Sequence, residues 1–252
     1  CSAAHEAVKR AGEFKSGKRS DPFLSGKNIV LVFEKSSTRT RVSFEVGISQ
    51  AGGGAVFMTP NECQLGRSEP LKDTARVLSR YADGLVVRTF GQEKLQELAY
   101  YSDIPVINAL TDKYHPCQVM SDLLTISERE QGFSDLKIAW VGDGNNMAHS
   151  WINAAMYFPF QLNVAVPEEY EPDSVILSSA LQAGARIFLT HDPQEAVQEA
   201  DYINTDVWAS MGQEEEQKER EKAFSGFQIN ETLLSGAAPD AKVLHCLPAH
   251  RG

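Results

Sequence analysis

One pattern restricts the fold of this chain more than any other. Short apolar runs alternate with longer segments of helical period along almost its whole length. Strands are predicted at Asn28–Phe33, Ala55–Met58, Gly84–Arg88 and Pro105–Ala109, and helices at Ser2–Lys18, Thr38–Gln50, Pro70–Ala82, Gln92–Tyr101 and Pro116–Glu130. After a polar break at Gly132-Phe133-Ser134-Asp135 the alternation restarts. Strands are predicted at Lys137–Val141, Leu162–Val166, Arg186–Thr190, Tyr202–Thr205 and Lys242–His245, with helices at Asn146–Phe158, Asp173–Ala183 and Gln194–Glu199. The charged stretch from Gln213 to Lys222 reads as a solvated helix or a loop. Recurring βα units put strands in parallel and helices on the sheet faces. The expected fold class is therefore α/β, with two doubly wound parallel-sheet domains of similar size, 1–131 and 132–252.

In such sheets ligands bind beyond the carboxyl ends of the strands, and the distinctive polar segments of this sequence fall there. After Phe33 comes Ser37-Thr38-Arg39-Thr40-Arg41 at the start of a helix. A helix N-terminus presents free N–H groups and the positive end of the dipole. Together with three small hydroxyls and two guanidiniums it suits a tetrahedral oxyanion such as phosphate. The competing reading is a capped helix with a solvated basic first turn. Arg88 ends an apolar strand, where its charge calls for an anionic or carbonyl partner. His115 precedes Pro116 at a helix start, and Gln118 lies one turn on. Gly142-Asp143-Gly144-Asn145-Asn146-Met147 lacks the third glycine of a dinucleotide turn, so a nicotinamide cofactor is not expected; Asn146 can read a carboxylate or serve as a cap. Asp206 can hold an ammonium group. Cys246, between His245 and Leu247-Pro248, can be a nucleophile or a buried thiol.

A net charge of −10 argues against a nucleic-acid or anionic-membrane partner, and makes Ser37–Arg41 a local basic island suited to a small anion. No apolar run approaches the roughly 20 residues that span a bilayer. Cys1, Cys63, Cys117 and Cys246 form no metal-binding spacing and no disulfide framework, so no metal is expected. Free thiols suit a reducing compartment, the cytoplasm or, in a eukaryote, an organelle matrix. The chain opens on Cys1 inside a predicted helix, so residues before it are expected.

Taken together, Ser37-Thr38-Arg39-Thr40-Arg41, His115-Pro116-Cys117-Gln118, Asp206 with Ser210-Met211-Gly212, and His245-Cys246-Leu247-Pro248 resemble the ornithine carbamoyltransferases, within the wider aspartate/ornithine carbamoyltransferase family. The first two motifs are common to that wider family; the last two are similar to its ornithine branch. The resemblance implies a first domain for carbamoyl phosphate, a second for L-ornithine, and an active site in the cleft between them. Ser37, Thr38, Arg39 and Thr40 would bind the phosphate. Arg88, His115 and Gln118 would surround the carbamoyl group. Gln64 would reach the phosphate held by a neighbouring subunit of a homotrimer, or of a multiple of trimers. Asn146, Asp206, Ser210 and Met211 would bind ornithine. Cys246 and Leu247 would lie beside the reacting amine and carbamoyl group, with Cys246 a polar wall and not a covalent nucleophile. The family also continues past the last residues of this sequence, into a C-terminal helix and a further arginine.

The implied reaction is attack of a neutral amine on carbamoyl phosphate through a tetrahedral intermediate, giving citrulline and phosphate. No metal or organic cofactor is expected to take part. The candidates for catalysis are Arg39, Arg88, His115 and Cys246. Two alternatives stand beside this reading: a carbamoyltransferase for another amine (N-acetylornithine, N-succinylornithine, putrescine or aspartate), and a non-catalytic metabolite-binding relative.

Overall fold

The computed structural model describes residues 3–59, 69–208 and 217–249. The chain divides into two compact units, Arg10–Cys117 and Gln118–Gly252, with Cys1–Lys9 belonging to the latter. The expected boundary at 131/132 differs from this division, which falls inside two helices, α1 (Ala3–Lys15) and α5 (Pro116–Ser127). The physical reason is side-chain bonding. From Gln118 onward α5 is tied to a strand of the second unit, β8 (Tyr202–Thr205), because Asn204 Nδ2 donates to Asp122 Oδ2 over 3.2 Å. Just past α5, Tyr202 Oη donates to Glu130 Oε1 over 2.6 Å.

The first unit runs β1 (Asn28–Phe33), α2 (Thr38–Gln50), β2 (Gly54–Met58), α3 (Leu71–Tyr81), β3 (Gly84–Arg88), α4 (Gln92–Tyr101) and β4 (Val106–Leu110). Its strands form one parallel sheet in the order β2-β1-β3-β4. The run Ile29-Val30-Leu31-Val32-Phe33 does not alternate with polar residues because both faces of a central parallel strand are covered. Val30, Val32, Leu85 and Val87 pack with Ala75 of α3 and with Leu95 and Leu98 of α4. Leu31, Phe33 and Val86, pointing the other way, pack with Ile48 of α2. β4 starts one residue later than the sequence suggests. Pro105 has no N–H to give the ladder, and it contributes only its carbonyl, which accepts from Leu85 N.

The second unit continues with β5 (Lys137–Val141), α6 (Asn146–Ala155), β6 (Gln161–Ala165), α7 (Ser174–Gln182), β7 (Arg186–Thr190), α8 (Pro193–Val197), β8, α9 (Gln217–Ala223), α10 (Glu231–Leu234) and β9 (Lys242–His245). All its strands are parallel, in the order β7-β6-β5-β8-β9. One face carries Ala139, Val141, Ala165 and Ile203 against α8, Phe224, Phe227 and Leu233. The short helix α10 was not foreseen; the Asn230 side chain caps it by accepting from Leu233 N. Part of the charged stretch is α9. Among the described residues no helix is long and apolar enough to cross a membrane.

Each sheet has one place where the strand order reverses direction: between β1 and β3 in the first unit, and between β5 and β8 in the second. Crevices for ligands open at such points beyond the carboxyl ends. Phe33 and Arg88 are register partners at the first. Gly142–Asn146 and Asp206 follow the two strands of the second.

Candidate active site

The first crevice is built on a pinned loop. Glu34, at the end of β1, accepts from Thr89 Oγ1 and lies 3.2 Å from Lys94 Nζ. Lys35 pairs with Asp112 and sits over the Phe90 ring. Glu34 N donates to the Arg88 carbonyl over 2.8 Å. These bonds fix the entry to α2. Ser37 occupies the N-cap position in extended geometry, yet its side chain makes no capping bond. A serine at an N-cap ordinarily spends its hydroxyl on the helix; here it does not. Thr38 and Arg39 are exposed in the first turn, while Arg41 turns aside to Glu45 and lies 3.6 Å from the Phe57 ring centroid. The two arginines of the motif therefore separate: Arg39 lies close enough to Arg88 to oppose its charge, while Arg41 is engaged by Glu45 and Phe57.

Arg88 comes to this crevice from β3. The β3–β4 register shifts between Val87 and Arg88. The side chain is only 6% exposed. Its Nη1 donates to Thr40 Oγ1 over 3.2 Å, its Nε is buried with no hydrogen-bond partner, and it has no ion pair with a carboxylate among the described residues. Burial, and then the neighbouring Arg39, make its cationic form harder to hold than usual. A buried guanidinium without a counter-charge is costly, so the arrangement calls for an anion. His115, preceding α5, is pushed down to about 4 by burial and by Arg88. At neutral pH its imidazole is uncharged and can donate one hydrogen bond without adding a third cation. The first unit thus brings together Thr40, Arg39, Arg88 and His115, with Ser37 and Thr38 on the same helix start.

The second unit presents the opposite charge. Asp206 follows β8, and Cys246 follows β9. Burial raises the Asp206 carboxyl, opposed by the Cys246 thiol, the Val207 N–H, His245 and the Asn145 amide beside it. Burial and then Asp206 push the Cys246 thiol well above its usual range. A thiol in that state stays protonated and donates to the carboxylate, so it is a poor nucleophile. Ligand atoms of Asp206, His245 and Cys246 lie within 4.8 Å of one another, the one such grouping of potential metal donors among the described residues.

Asn145, not Asn146, is the cap of α6, accepting from Met147 N and Ala148 N. Asn146 is the first residue of that helix, half-buried. Gly144 is explained by packing: a Cβ there would lie 2.4 Å from both Pro172 N and Tyr170 O. The second glycine of the Gly142-Asp143-Gly144 turn thus serves close backbone approach. On α5, Gln118 Nε2 donates to Asp122 Oδ1 over 3.0 Å. Leu247 is 55% exposed, and its bond to Pro248 is cis. Gln64, Ser210 and Met211 lie outside the described residues.

Sequence reasoning missed three buried polar residues. Asp122 is 8% exposed and its carboxyl is pushed up to about 6 by burial. Asn204 is 1% exposed. Arg220, 5% exposed, bonds Asp143 Oδ2 and the Trp208 carbonyl at 2.9 Å each and lies over Tyr170. A carboxylate four residues after Gln118 on an otherwise apolar helix face was the available signal for Asp122.

Residues 2–128 match the family described as aspartate/ornithine carbamoyltransferase, carbamoyl-P binding domain, and residues 134–252 match its Asp/Orn binding domain. An ornithine carbamoyltransferase of Oleidesulfovibrio alaskensis is 63% identical over 250 residues, which is 99% of this chain and 83% of that protein. The fold matches the ornithine carbamoyltransferase of Pyrococcus furiosus with a TM-score of 0.92 at 44% identity, over 99% of this chain and 81% of that one. It also matches the anabolic enzyme of Campylobacter jejuni with a TM-score of 0.93 at 42% identity, over 99% and 83%. A buried guanidinium with no carboxylate partner among the described residues in one unit, a shielded carboxylate beside a protonated thiol in the other, and these likenesses over nearly every residue lead to one conclusion: the chain belongs to the aspartate/ornithine carbamoyltransferase family.

Proposed function

We propose that this chain is an ornithine carbamoyltransferase, transferring the carbamoyl group of carbamoyl phosphate to the side-chain amine of L-ornithine and releasing L-citrulline and phosphate. The observation that carries this reading is Arg88: a guanidinium 6% exposed, bonded to Thr40 and flanked by Arg39 and a neutral His115. Residues 1–131 take carbamoyl phosphate and residues 132–252 take ornithine.

The chemistry follows from charge. The neutral amine forms a C–N bond to the carbonyl carbon; the tetrahedral intermediate then breaks its C–O bond to phosphate, and the amine's proton leaves with the phosphate. Negative charge grows on the carbonyl oxygen, where Arg88, His115 and Thr40 donate. One such donor is typically worth about 3 kcal/mol. The departing phosphate is held by Ser37, Thr38, Arg39 and the N–H groups opening α2. Gln118 accepts from the carbamoyl –NH2. Asp206, Asn146, Ser210 and Met211 hold ornithine, and Cys246 and Leu247 line the reacting centre. Orienting two substrates supplies much of the remaining acceleration.

The protein works as a homotrimer or a multiple of trimers, with Gln64 reaching a neighbour's phosphate. Exposed Val42, Val46 and Val56, on α2 and the edge strand β2, support an apolar contact surface. Citrulline formation serves arginine biosynthesis, and the free thiols of Cys117 and Cys246 support a reducing, cytoplasmic setting.

The test is citrulline formation from carbamoyl phosphate with ornithine, N-acetylornithine, putrescine and aspartate compared in parallel. Ornithine is expected to give the highest kcat/KM by orders of magnitude. A preference for another amine would reassign the second site, and no turnover with any would leave only a binding protein.

A further inference from the structure

The buried carboxylate of Asp122 has no role in the reaction described above, yet its surroundings are specific. It lies on α5 among the buried apolar residues Val119, Leu123 and Ile126. Its partners are neutral: Gln118 Nε2 donates to Oδ1 over 3.0 Å, and Asn204 Nδ2 donates to Oδ2 over 3.2 Å. It has no ion pair among the described residues. Fold stability alone gives little reason for this group, because an apolar side chain of similar size is often neutral or better at such a position.

We propose that Asp122 is a positioning residue for the carbamoyl group: by accepting from the amides of Gln118 and Asn204, one on each oxygen, it holds Gln118 with its carbonyl oxygen facing the substrate –NH2. The inference rests on the reading above in which Gln118 meets the carbamoyl group. The logic is that of donors and acceptors. A side-chain amide can flip and present either –NH2 or C=O. An ionised carboxylate only accepts, so both amides must turn their –NH2 groups inward and their oxygens away. Burial raises the Asp122 carboxyl, yet to a value still below neutrality, so the acceptor-only form prevails at pH 7 and above. Asparagine at this position keeps the shape and one acceptor oxygen. Its own –NH2 then faces one of the two amides, and the orientation of Gln118 is no longer dictated.

The test compares Asp122→Asn, Gln118→Ala and the double variant in the full-length enzyme. The readouts are KM and kcat for carbamoyl phosphate and the competitive inhibition constant of inorganic phosphate. Phosphate has no –NH2, so it does not use Gln118. Asp122→Asn is expected to lower kcat/KM for carbamoyl phosphate by about tenfold or more, the scale of one directed hydrogen bond, while phosphate inhibition changes less than about twofold. The double variant should be no worse than Gln118→Ala, since the two residues act as a unit. Equal weakening of carbamoyl phosphate and phosphate, or no change in either, overturns the proposal. If Asp122→Asn does not fold, Asp122→Ser, which removes the acceptor-only carboxylate facing Gln118, must show the same split between the two ligands. Should Gln118→Ala itself leave carbamoyl phosphate kinetics intact, the underlying placement of Gln118 fails, an outcome distinct from failure of Asp122→Asn alone.

Discussion

Replacing Arg88 with Met separates what that guanidinium does for stability from what it does for catalysis, and the two are expected to move in opposite directions. In the protein without substrate, Arg88 is 6% exposed, makes one bond to a neutral hydroxyl and leaves Nε unsatisfied. Removing an unpaired charge from water costs several kcal/mol, whereas a charge-assisted hydrogen bond returns about 1.5–3 kcal/mol. Arg39 nearby adds repulsion. Methionine keeps the aliphatic stem, so little cavity forms. The variant should therefore be as stable as the parent or more stable by up to about 2 kcal/mol, a rise in Tm of roughly 0–8 °C for a chain of this length. Turnover should fall by about 10²–10³-fold, the loss of one oxyanion donor. Thermal unfolding followed by circular dichroism in phosphate-free buffer gives the first number, and citrulline formation gives the second. Added phosphate should stabilise the parent by about 2.7 kcal/mol at a hundred times its Kd and the variant by less. A variant that melts more than about 5 °C lower, or keeps activity within about threefold, would show that Arg88 is structural.

Four further outcomes follow from the geometry. His115 has a folded pKa of about 4 against an ordinary 6.5; the unfolded chain therefore binds the extra proton in that window, and stability is lost as pH falls through it. Urea unfolding of His115→Gln should recover up to about 2 kcal/mol of that loss at pH 5; an unchanged pH profile refutes a buried neutral ring. The protonated thiol of Cys246 should react with iodoacetamide at pH 7–8 far more slowly than a free cysteine in the unfolded chain, and Cys246→Ser should retain turnover; a loss near 10⁴-fold or more would instead mark a covalent nucleophile. Arg220→Leu strands the Asp143 carboxylate and should destabilise by about 3–5 kcal/mol in urea, with most of that restored in the Asp143→Asn/Arg220→Leu double variant; additive losses would refute the pairing. Because the attacking amine must be neutral and free amines titrate near 10, the rate should climb with alkaline pH, and a flat profile from mildly acidic to alkaline pH contradicts amine attack as the slow step.

What the sequence revealed was what sterics and solvation decide locally. Asn28–Phe33 could only be a strand covered on both sides, and a helix opening on Ser37-Thr38-Arg39 could only be an anion site or a solvated turn. An uncapped Ser37 and Arg88 arriving from β3 favour the anion, and no local pattern carries a contact between residues 40 and 88. Arg41 looked like a second ligand until Phe57 and Glu45 claimed it, because cation–π partners on a neighbouring strand leave no trace in helical spacing. Arg220 sits in a charged run that reads as solvent-facing, yet a single aromatic wall and one carboxylate bury it. Asp122 left a local trace in an apolar helix face, but its pairing with Asn204 left none, because it joins a helix to a strand 82 residues away.

The two units solve the problem of buried charge by opposite means, and the difference tells which ligand each lacks. In the first, Arg88 and Arg39 repel one another and no carboxylate answers Arg88 among the described residues. An incoming dianion supplies the missing charge where Arg88 is already out of water. In the second, Asp206 is raised by burial, and a thiol, a backbone N–H, His245 and an amide oppose the rise. A buried carboxylate in this setting suits an ammonium or amine partner. A site that carries its ligand's counter-charge before the ligand arrives has already met the reorganisation cost. Each substrate, by relieving a cost present in the empty protein, should raise the unfolding free energy of the unit that binds it.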